Sequence, residues 1–499
     1  MTELFRPAEN RKMLRPYQER AIALLRSSLA KGFRRVVCQL PTGGGKSLMA
    51  AKITEGARSK SNRVIFTVPT VSLIDQTVAA FEAEGLDGIG VMQANHPRTD
   101  TLAPIQVASV QTLARRQIPY TSIVIVDEVH IRSEVIDRLM KDRPEAVFIG
   151  LSATPWRRGM GKTWQDLVVA STTRELIDEG YLSPFRVFAA AHPDLTGIKT
   201  VAGDYHEGEL AERMGEGALC ADVVTTWLEK AGDRPTLVFG VNRAHAAQLH
   251  ERFMAAGVAS AYVDMNTDRV ERGLIERRFR SGDVRVACSV RTLTTGIDWP
   301  VACIVDAAPT RSEMLHVQKI GRGLRVNPPW EDCIVLDHSD NTLRLGMVTD
   351  IHHETLDDGE PKQVSQNERK APLPKECGQC GFIKPPKTRK CPACGHEAVA
   401  QADIDTVDGE LVEIGSRRKA EPTMADKQAF WSMALWLDGE RGKGGKYALA
   451  LYKGKFDSWP RGLQDTPKPA DQAFMNYEKS RRIRWAKKRE KEQRKEKAA

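Results

Sequence analysis

The chain has 499 residues, of which 41% are apolar and 28% charged, with a formal net charge of +9. That length suits two to four domains, and the sequence contains no run of about 18 apolar residues, so a membrane-spanning helix is excluded as an expectation. The charge is uneven. Residues 479–497 hold eleven Lys or Arg against three Glu, which leaves the preceding residues close to neutral and confines the nucleic-acid signature of the charge to the tail.

Short apolar strands alternate with amphipathic helices along the first 340 residues, the pattern of parallel α/β sheets. Strands are expected near 35–40, 63–68, 105–109, 122–127 and 146–151, with helices near 46–57, 71–84 and 132–141. A bridging stretch follows Pro155 and includes Glu175-Leu-Ile-Asp-Glu-Gly180. A second α/β domain then opens with a helix near 219–231. Its strands are expected near 235–239, 260–263, 284–289, 301–305 and 332–337, and its helices near 243–256, 269–281 and 312–321.

The first expected strand runs into Pro41-Thr-Gly-Gly-Gly-Lys-Ser47. Glycines free backbone N–H groups to converge on phosphate oxygens, and the helix starting near Lys46 adds its positive end. Pro41, Thr42, Gly43, Gly44 and Gly45 would cradle the phosphates. Lys46 would reach the β- and γ-phosphates, and Ser47 would bind Mg²⁺. Leu40 stands where the strict loop pattern has its first glycine. The bland alternative is a glycine-rich turn.

About 80 residues later, Thr121-Ser-Ile-Val-Ile-Val-Asp-Glu-Val-His130 ends an apolar strand in two adjacent carboxylates. A carboxylate at that strand end can hold Mg²⁺ through its water shell, the role assigned to Asp127. Glu128 would polarise the water that attacks the γ-phosphate. The alternative is a pair of acids that merely opens a solvated loop.

Asp127-Glu-Val-His130 resembles the DExH box of superfamily 2 helicases and translocases, and further motifs of that family follow in order. The resemblance covers residues 14–340 and implies two tandem RecA-like domains that share one ATP site. Leu14-Arg-Pro-Tyr-Gln18 is similar to the adenine-reading motif: the Gln18 amide can donate and accept at once, and Arg15 could stack on the base. Val68-Pro-Thr-Val-Ser-Leu-Ile-Asp-Gln76 and Val107-Ala-Ser-Val-Gln-Thr-Leu113 resemble strand-binding motifs. They imply nucleic-acid contacts at Pro69, Thr70, Gln76, Ser109, Gln111 and Thr112. Ser152-Ala-Thr-Pro155 resembles the motif that links ATP state to the nucleic-acid path, which implies a coupling role for His130, Ser152, Ala153 and Thr154.

In the second half, Thr236-Leu-Val-Phe-Gly-Val-Asn242 and Thr294-Thr-Gly-Ile-Asp298 resemble motifs IV and V. They imply nucleic-acid contacts at Asn242 and Thr294 and nucleotide contacts at Gly296 and Asp298. Gln318-Lys-Ile-Gly-Arg-Gly-Leu-Arg325 resembles motif VI. Gln318, Arg322 and Arg325 are expected on one helix face, with the two arginines as fingers on the transferred phosphoryl group. The alternative for two arginines on a helix is a solvated face.

Residues 355–376 carry three prolines and read as a linker. Cys377-Gly-Gln-Cys380 and Cys391-Pro-Ala-Cys394 have ligand spacing for tetrahedral Zn²⁺, in a segment too short to bury a core of its own. The alternatives are a disulfide pair or a redox Cys-x-x-Cys. His396 is superfluous once four thiolates close the site. Lys384, Lys387, Arg389 and Lys390 between the knuckles favour a nucleic-acid role for this ribbon over a structural one. Cys38, Cys220, Cys288, Cys303 and Cys333 read as core residues.

Phe430, Trp431, Trp436, Tyr447, Tyr452, Phe456 and Trp459 suggest a small helical unit with an aromatic core, with an aromatic nucleic-acid platform as the alternative. Arg481-Arg-Ile-Arg-Trp-Ala-Lys-Lys-Arg489 reads either as a phosphate-contacting helix, with Trp485 for stacking, or as a solvated one. The expected layout is RecA-like domains at 1–185 and 186–350, a linker at 351–376 and a zinc ribbon at 377–396. A second linker at 397–427, an aromatic helical unit at 428–478 and a basic tail at 479–499 complete it.

Motor, ribbon and tail together resemble RadD-type DNA repair ATPases and their phage relatives. That implies a DNA helicase or translocase in repair, recombination or phage replication, using ATP, Mg²⁺ and Zn²⁺. Single-stranded or junction DNA and a recombinase or single-strand-binding protein are the implied partners. The opening Met1-Thr-Glu-Leu-Phe-Arg-Pro7 lacks the apolar stretch of a secretory signal, so a bacterial or phage-infected cytosol is expected. The rivals are a DNA-stimulated ATPase that remodels protein–DNA complexes without separating strands, an RNA helicase, and a zinc-dependent DNA-binding scaffold with a silent ATPase fold. No carboxylate–lysine constellation for a nuclease is evident.

Overall fold

The computed structural model describes residues 11–482, apart from 94–95, 190–191, 202, 216, 295, 361–372, 398–422, 443, 457, 472–473, 476 and 479–480. The chain divides into two compact units, Met1–Ala400 and Gln401–Ala499. No helix of the described residues is long and apolar enough to cross a membrane.

The first unit holds two parallel sheets. Strands β1 (Arg35–Gln39), β2 (Val64–Val68), β3 (Ile89–Met92), β4 (Ile105–Ser109), β5 (Ile123–Val126), β6 (Val147–Ser152) and β7 (Asp166–Val169) form the first sheet. Their order is β3-β4-β2-β5-β6-β1-β7, all parallel. Val64–Val68 is buried along its whole length, as a strand covered on both faces must be. The expected strands and helices of this lobe form, with shifts of one or two residues at most of their ends. The helix expected at 71–84 opens instead as a 3₁₀ turn (Val71–Leu73) and becomes α-helical over Ile74–Ala83. β3 and β7, four residues each, were not among the expected strands.

The stretch after Pro155 is more than a bridge. It supplies β7, a short helix (Thr173–Asp178) and β8 (Phe185–Ala189). β8 crosses into the second sheet, so that sheet begins well before the helix at Gly217–Lys230 that was expected to open it. After a two-residue hairpin of β9 (Thr200–Val201) and β10 (Asp204–Tyr205) come β11 (Thr236–Phe239), β12 (Ser260–Val263), β13 (Val286–Ser289), β14 (Cys303–Asp306) and β15 (Cys333–Asp337). The order is β12-β13-β11-β14-β15-β8, again parallel. Cys38, Cys288, Cys303 and Cys333 lie in the cores, as expected, while Cys220 lies outside the described side chains.

Two segments read as accessories are built into this unit. The linker expected at 355–376 is anchored where it begins: Asp357 accepts from Gly159 N at 2.8 Å through its side chain and from Gly161 N at 2.7 Å through its carbonyl. Its residues 361–372 lie outside the described ones. The ribbon, with β16 (Lys375–Glu376) and β17 (Ile383–Lys384), covers the edge of β8. Ala189 N donates to Gly381 O at 2.9 Å, and the rings of Phe188 and Phe382 meet edge to face at 5.6 Å. Covering a sheet edge removes a row of unpaired backbone groups from solvent.

The second unit packs helices Met424–Glu440 and Lys446–Phe456 around Phe430, Trp431 and Tyr452, with Phe474 joining from the returning chain. The first helix starts four residues before the expected boundary, where Thr423 and Asp426 form a capping box. Trp459 is 51% exposed and stands outside that core. The basic tail beyond Arg482, Trp485 included, lies outside the described residues.

Candidate active site between the two lobes

In an open parallel sheet, ligand loops gather at the carboxyl ends of the strands. Three such loops meet here, after the neighbouring strands β1, β5 and β6. The loop after β1 holds Gly43 and Gly45 in the left-handed region, at φ 84° and 78°, and Lys46 begins the helix. A side chain at position 45 would be strained by that φ and would displace the Gln18 amide, since its Cβ would sit 2.4 Å from Gln18 Nε2.

Lys46 Nζ lies 3.9 Å from Glu128 Oε1. Asp127 N bonds Thr67 O at 3.0 Å and Val129 N bonds Leu151 O at 3.1 Å, so the pair of acids is held between β2 and β6. Glu128 itself has a positive φ of 47°, unusual for a side-chain-bearing residue and frequent where function demands it. Burial, reinforced by the neighbouring Glu128 carboxylate, pushes Asp127 up to about 7. Burial also works against Glu128, but the positive charges around it, Lys46 first and then Arg322, outweigh it and hold that carboxyl below its ordinary value. Two adjacent acids with opposite shifts are the mark of a site rather than of a solvated turn.

The second lobe reaches into this pocket. Gly321 ends the helix Glu313–Gly321 against the phosphate loop, where an added Cβ would meet Thr42 Cβ at 2.7 Å. Arg322 is 4% exposed, and burial followed by the charge of Arg325 pushes it down to about 10, still charged near neutral pH. Arg322 and Arg325 both donate to Ile297 O, at 3.2 and 2.7 Å, and Arg325 also pairs with Asp298 at 3.2 Å. The Cγ of Arg325 lies 3.2 Å from where a Gly43 Cβ would be. One expectation is corrected: the three motif VI residues do not share a helix face. Only Gln318 lies within the helix. Arg322 is its C-cap and Arg325 lies beyond it, because Gly321 and Gly323 stop the turn.

Gln318 closes a polar relay across the lobes. Its Nε2 donates to His130 Nε2 at 3.0 Å and to Thr154 Oγ1 at 2.9 Å. With Nε2 accepting, His130 Nδ1 carries the proton and donates to Ser152 Oγ at 2.8 Å. Burial lowers the His130 pKa, which keeps the ring neutral for that pattern. Ser152 Oγ also accepts from Thr154 N at 3.0 Å, and Ala153 is buried between them.

The remaining expected site residues divide. Gln18 is buried, accepts from Arg15 N at 2.9 Å and donates to Gly44 O at 3.0 Å, so its amide rests on the phosphate loop. Arg15 is exposed beside it, and Ser47 is exposed on the first turn of its helix. Gly296 presses on Leu73 of the other lobe, where its missing Cβ would be 2.7 Å from Leu73 Cδ2. Thr70 and Gln76 are exposed, and Gln111 is exposed while its Nε2 donates to Pro69 O at 3.0 Å. Thr112 bonds Ser109 Oγ, and Asn242 caps the helix Arg243–Ala255 by accepting from His245 N at 2.9 Å. Ser109 is fully buried as the cap of Val110–Leu113, and Thr294 is buried with its hydroxyl on Arg291 O at 2.6 Å.

Sequence reading missed three interlobe elements. Leu182 packs on Gly43, Ser183 N donates to Leu324 O at 2.7 Å, and Asp75 pairs with Arg269 at 2.7 Å. The first two follow the helix-ending Gly180 in Gly180-Tyr-Leu-Ser-Pro184, a turn signal that marked a junction but not its partners.

The four ribbon sulfurs lie within 4.8 Å of one another, with Cys377–Cys394 and Cys380–Cys391 at 3.7 Å. Tetrahedral bonds of about 2.3 Å place sulfurs about 3.8 Å apart, so the set fits an ion of zinc's size. Lys384, counted among the nucleic-acid residues, is buried and donates to Arg389 O at 3.3 Å.

Comparison with known proteins agrees with this layout. Residues 11–157 match the family described as type III restriction enzyme, res subunit, and residues 219–327 match the helicase conserved C-terminal domain. A 51.5 kDa protein of a Lactococcus phage is 25% identical over 392 residues, covering 75% of this chain and 83% of its own length. IRC3 of Saccharomyces cerevisiae, which carries the name of an ATP-dependent helicase, is 28% identical over 353 residues, covering 65% of this chain and 51% of itself. The chain thus spans about half the length of that yeast relative. A fragment of an HsdR subunit of a type I restriction enzyme from Vibrio vulnificus shares the fold, with a TM-score of 0.54 at 20% identity over 71% of this chain and 68% of the fragment.

Proposed function

We propose, from the premise that this chain is an ATP-hydrolysing superfamily 2 helicase or translocase, that it moves on DNA by opening and closing one interlobe cleft. Lys46 binds the β- and γ-phosphates; Ser47 and Asp127 would hold Mg²⁺, which would neutralise charge at the phosphates when bound. Glu128 takes the proton of the attacking water as its oxygen bonds to the γ-phosphorus and ADP leaves. Arg322 and Arg325 stabilise the charge that spreads over the transferred group. Gln18 reads the adenine edge once it lets go of Gly44 O. The observation that carries this reading is the meeting of Lys46, Asp127 and Glu128 with Gln318, Arg322 and Arg325 around Thr42 and Gly43.

Neither lobe holds the whole site, so nucleotide turnover is tied to lobe movement. The relay from Gln318 through His130 to Ser152 and Thr154 carries that state toward the strand-binding loops, with Thr70, Gln76, Gln111 and Asn242 as the candidate contacts. Cys377, Cys380, Cys391 and Cys394 hold Zn²⁺, and the ribbon's packing on β8 favours a structural role for it. The setting is DNA repair, recombination or phage replication in a cytosol, beside a recombinase or single-strand-binding protein.

ATP turnover measured with single-stranded, duplex and forked DNA and with RNA tests the reading, and a strand-displacement assay separates unwinding from remodelling. Lys46→Ala should abolish turnover and leave DNA binding largely intact. Full turnover in that variant sinks the motor. No turnover with any nucleic acid in the unaltered protein favours the silent scaffold.

A further inference from the structure

The segment between the lobes carries an aromatic ring that none of the motifs above includes. Tyr181 follows Gly180, whose φ of 74° ends the helix Thr173–Asp178, and its amide donates to Leu176 O at 2.8 Å. Its ring meets Tyr17 edge to face at 5.1 Å and lies under the Arg15 guanidinium, whose central carbon is 4.9 Å from the ring centre. Arg15 also donates to Tyr17 Oη at 3.3 Å, and Tyr17 Oη donates to Gly44 O at 3.0 Å. These contacts form a stack of Tyr181 and Arg15, buttressed by Tyr17 and tied to the phosphate loop.

An exposed arginine carries large rotamer freedom, which a base must quench before it can stack on the guanidinium. A ring beneath the plane removes much of that freedom in advance and leaves the outer face open. Building on the ATP site proposed above, we infer that Tyr181 is a positioning residue for nucleotide binding. It holds Arg15 flat as a platform for the base, while Gln18 reads the base edge. The ligand class is a purine nucleoside triphosphate, because a two-ring base covers more of a flat cation than a one-ring base. The platform rests on the same short segment whose next residues touch the phosphate loop through Leu182 and Leu324 through Ser183.

Steady-state kinetics of the full chain with ATP and CTP, together with inhibition by inorganic tripolyphosphate, test this. Tyr181→Ala should raise the KM for ATP about three- to tenfold, with the effect on KM rather than kcat, and should shrink the preference for ATP over CTP by a similar factor. Tyr181→Phe should restore both values to within about twofold, since the ring face is kept. Tripolyphosphate, which has no base, should inhibit every variant equally. Arg15→Ala should match Tyr181→Ala, and the double variant should add little. The inference fails if Tyr181→Ala leaves KM unchanged, if it weakens tripolyphosphate inhibition as much as ATP binding, or if the two substitutions are additive. Failure of the ATP site itself would look different, because Lys46→Ala would then keep its turnover.

Discussion

The two lobes bury charge in opposite ways. In the first, Asp127 and Glu128 stand side by side with one lysine 3.9 Å from Glu128; burial raises Asp127, while that lysine's charge overcomes burial at Glu128 and splits the pair. In the second, Lys319 and Asp306 form a pair in which each side chain is 1% exposed, and both partners make further hydrogen bonds. Asn341 Nδ2 donates to Asp306 at 2.9 Å, and Lys319 Nζ donates to Ala308 O at 2.8 Å. Asp337 beside them accepts from Ser339 Oγ at 2.7 Å and Thr342 N at 2.7 Å, bonds that outweigh its burial and keep its pKa low. A buried charge short of partners is poised to take a ligand, whereas a saturated one holds the fold. Lys319 lies between Gln318 and Arg322, so the saturated network sets the register of the residues that enter the active site.

That contrast can be broken by experiment. Glu128→Gln should cut ATP turnover by about 10²- to 10⁴-fold while the unfolding midpoint holds or rises, since it removes one of two crowded acids. A large loss of stability would mean that Glu128 is scaffold too. Asp306→Ala should do the reverse at its root, costing about 3–5 kcal/mol in denaturant unfolding by stranding the Lys319 ammonium. Replacing both partners together, Asp306→Leu with Lys319→Met, should recover most of it, and failure to recover would point to Asn341 rather than the pair.

Stripping metal from the ribbon thiols with a chelator should cost about 2–3 kcal/mol, the burial of one phenylalanine, because Phe382 leaves Phe188 and the β8 edge. Unchanged melting would return the ribbon to an accessory role. The smallest effect is expected from acid. Burial lowers His245 to about 4, and its neutral ring accepts from Val241 N at 3.2 Å. The folded state therefore binds fewer protons than the unfolded one, so this stability is present above pH 6.5 and drains away as pH falls toward 4. His245→Gln should flatten that slope, and an unaltered acid limb would remove His245 from the account.

How much of this was legible in sequence follows from range. Elements with a local cause stood out: apolar runs such as Val64–Val68 and Ile123–Val126, the glycines before Lys46, and the paired cysteines. Each depends on neighbours within a few residues, through strand period, left-handed backbone or ligand spacing. β8 was hidden because Phe185-Arg-Val-Phe-Ala189 becomes a strand only beside β15, nearly 150 residues away. The ribbon's packing on that edge and the stack of Arg15 on Tyr181 were hidden for the same reason.

By itself the amino-acid sequence determined the parts list: two α/β sheets, a phosphate loop, adjacent acids, a pair of arginines and four thiols at ligand spacing. Tertiary structure alone decided which polar residues are free to act. Ser109 and Thr294 matched motifs yet are buried with their hydroxyls in local hydrogen bonds, and Lys319, conspicuous in a motif, is locked to Asp306. The physical reason is that availability depends on burial and partners, and those come from segments too far apart in the chain for any local pattern to record.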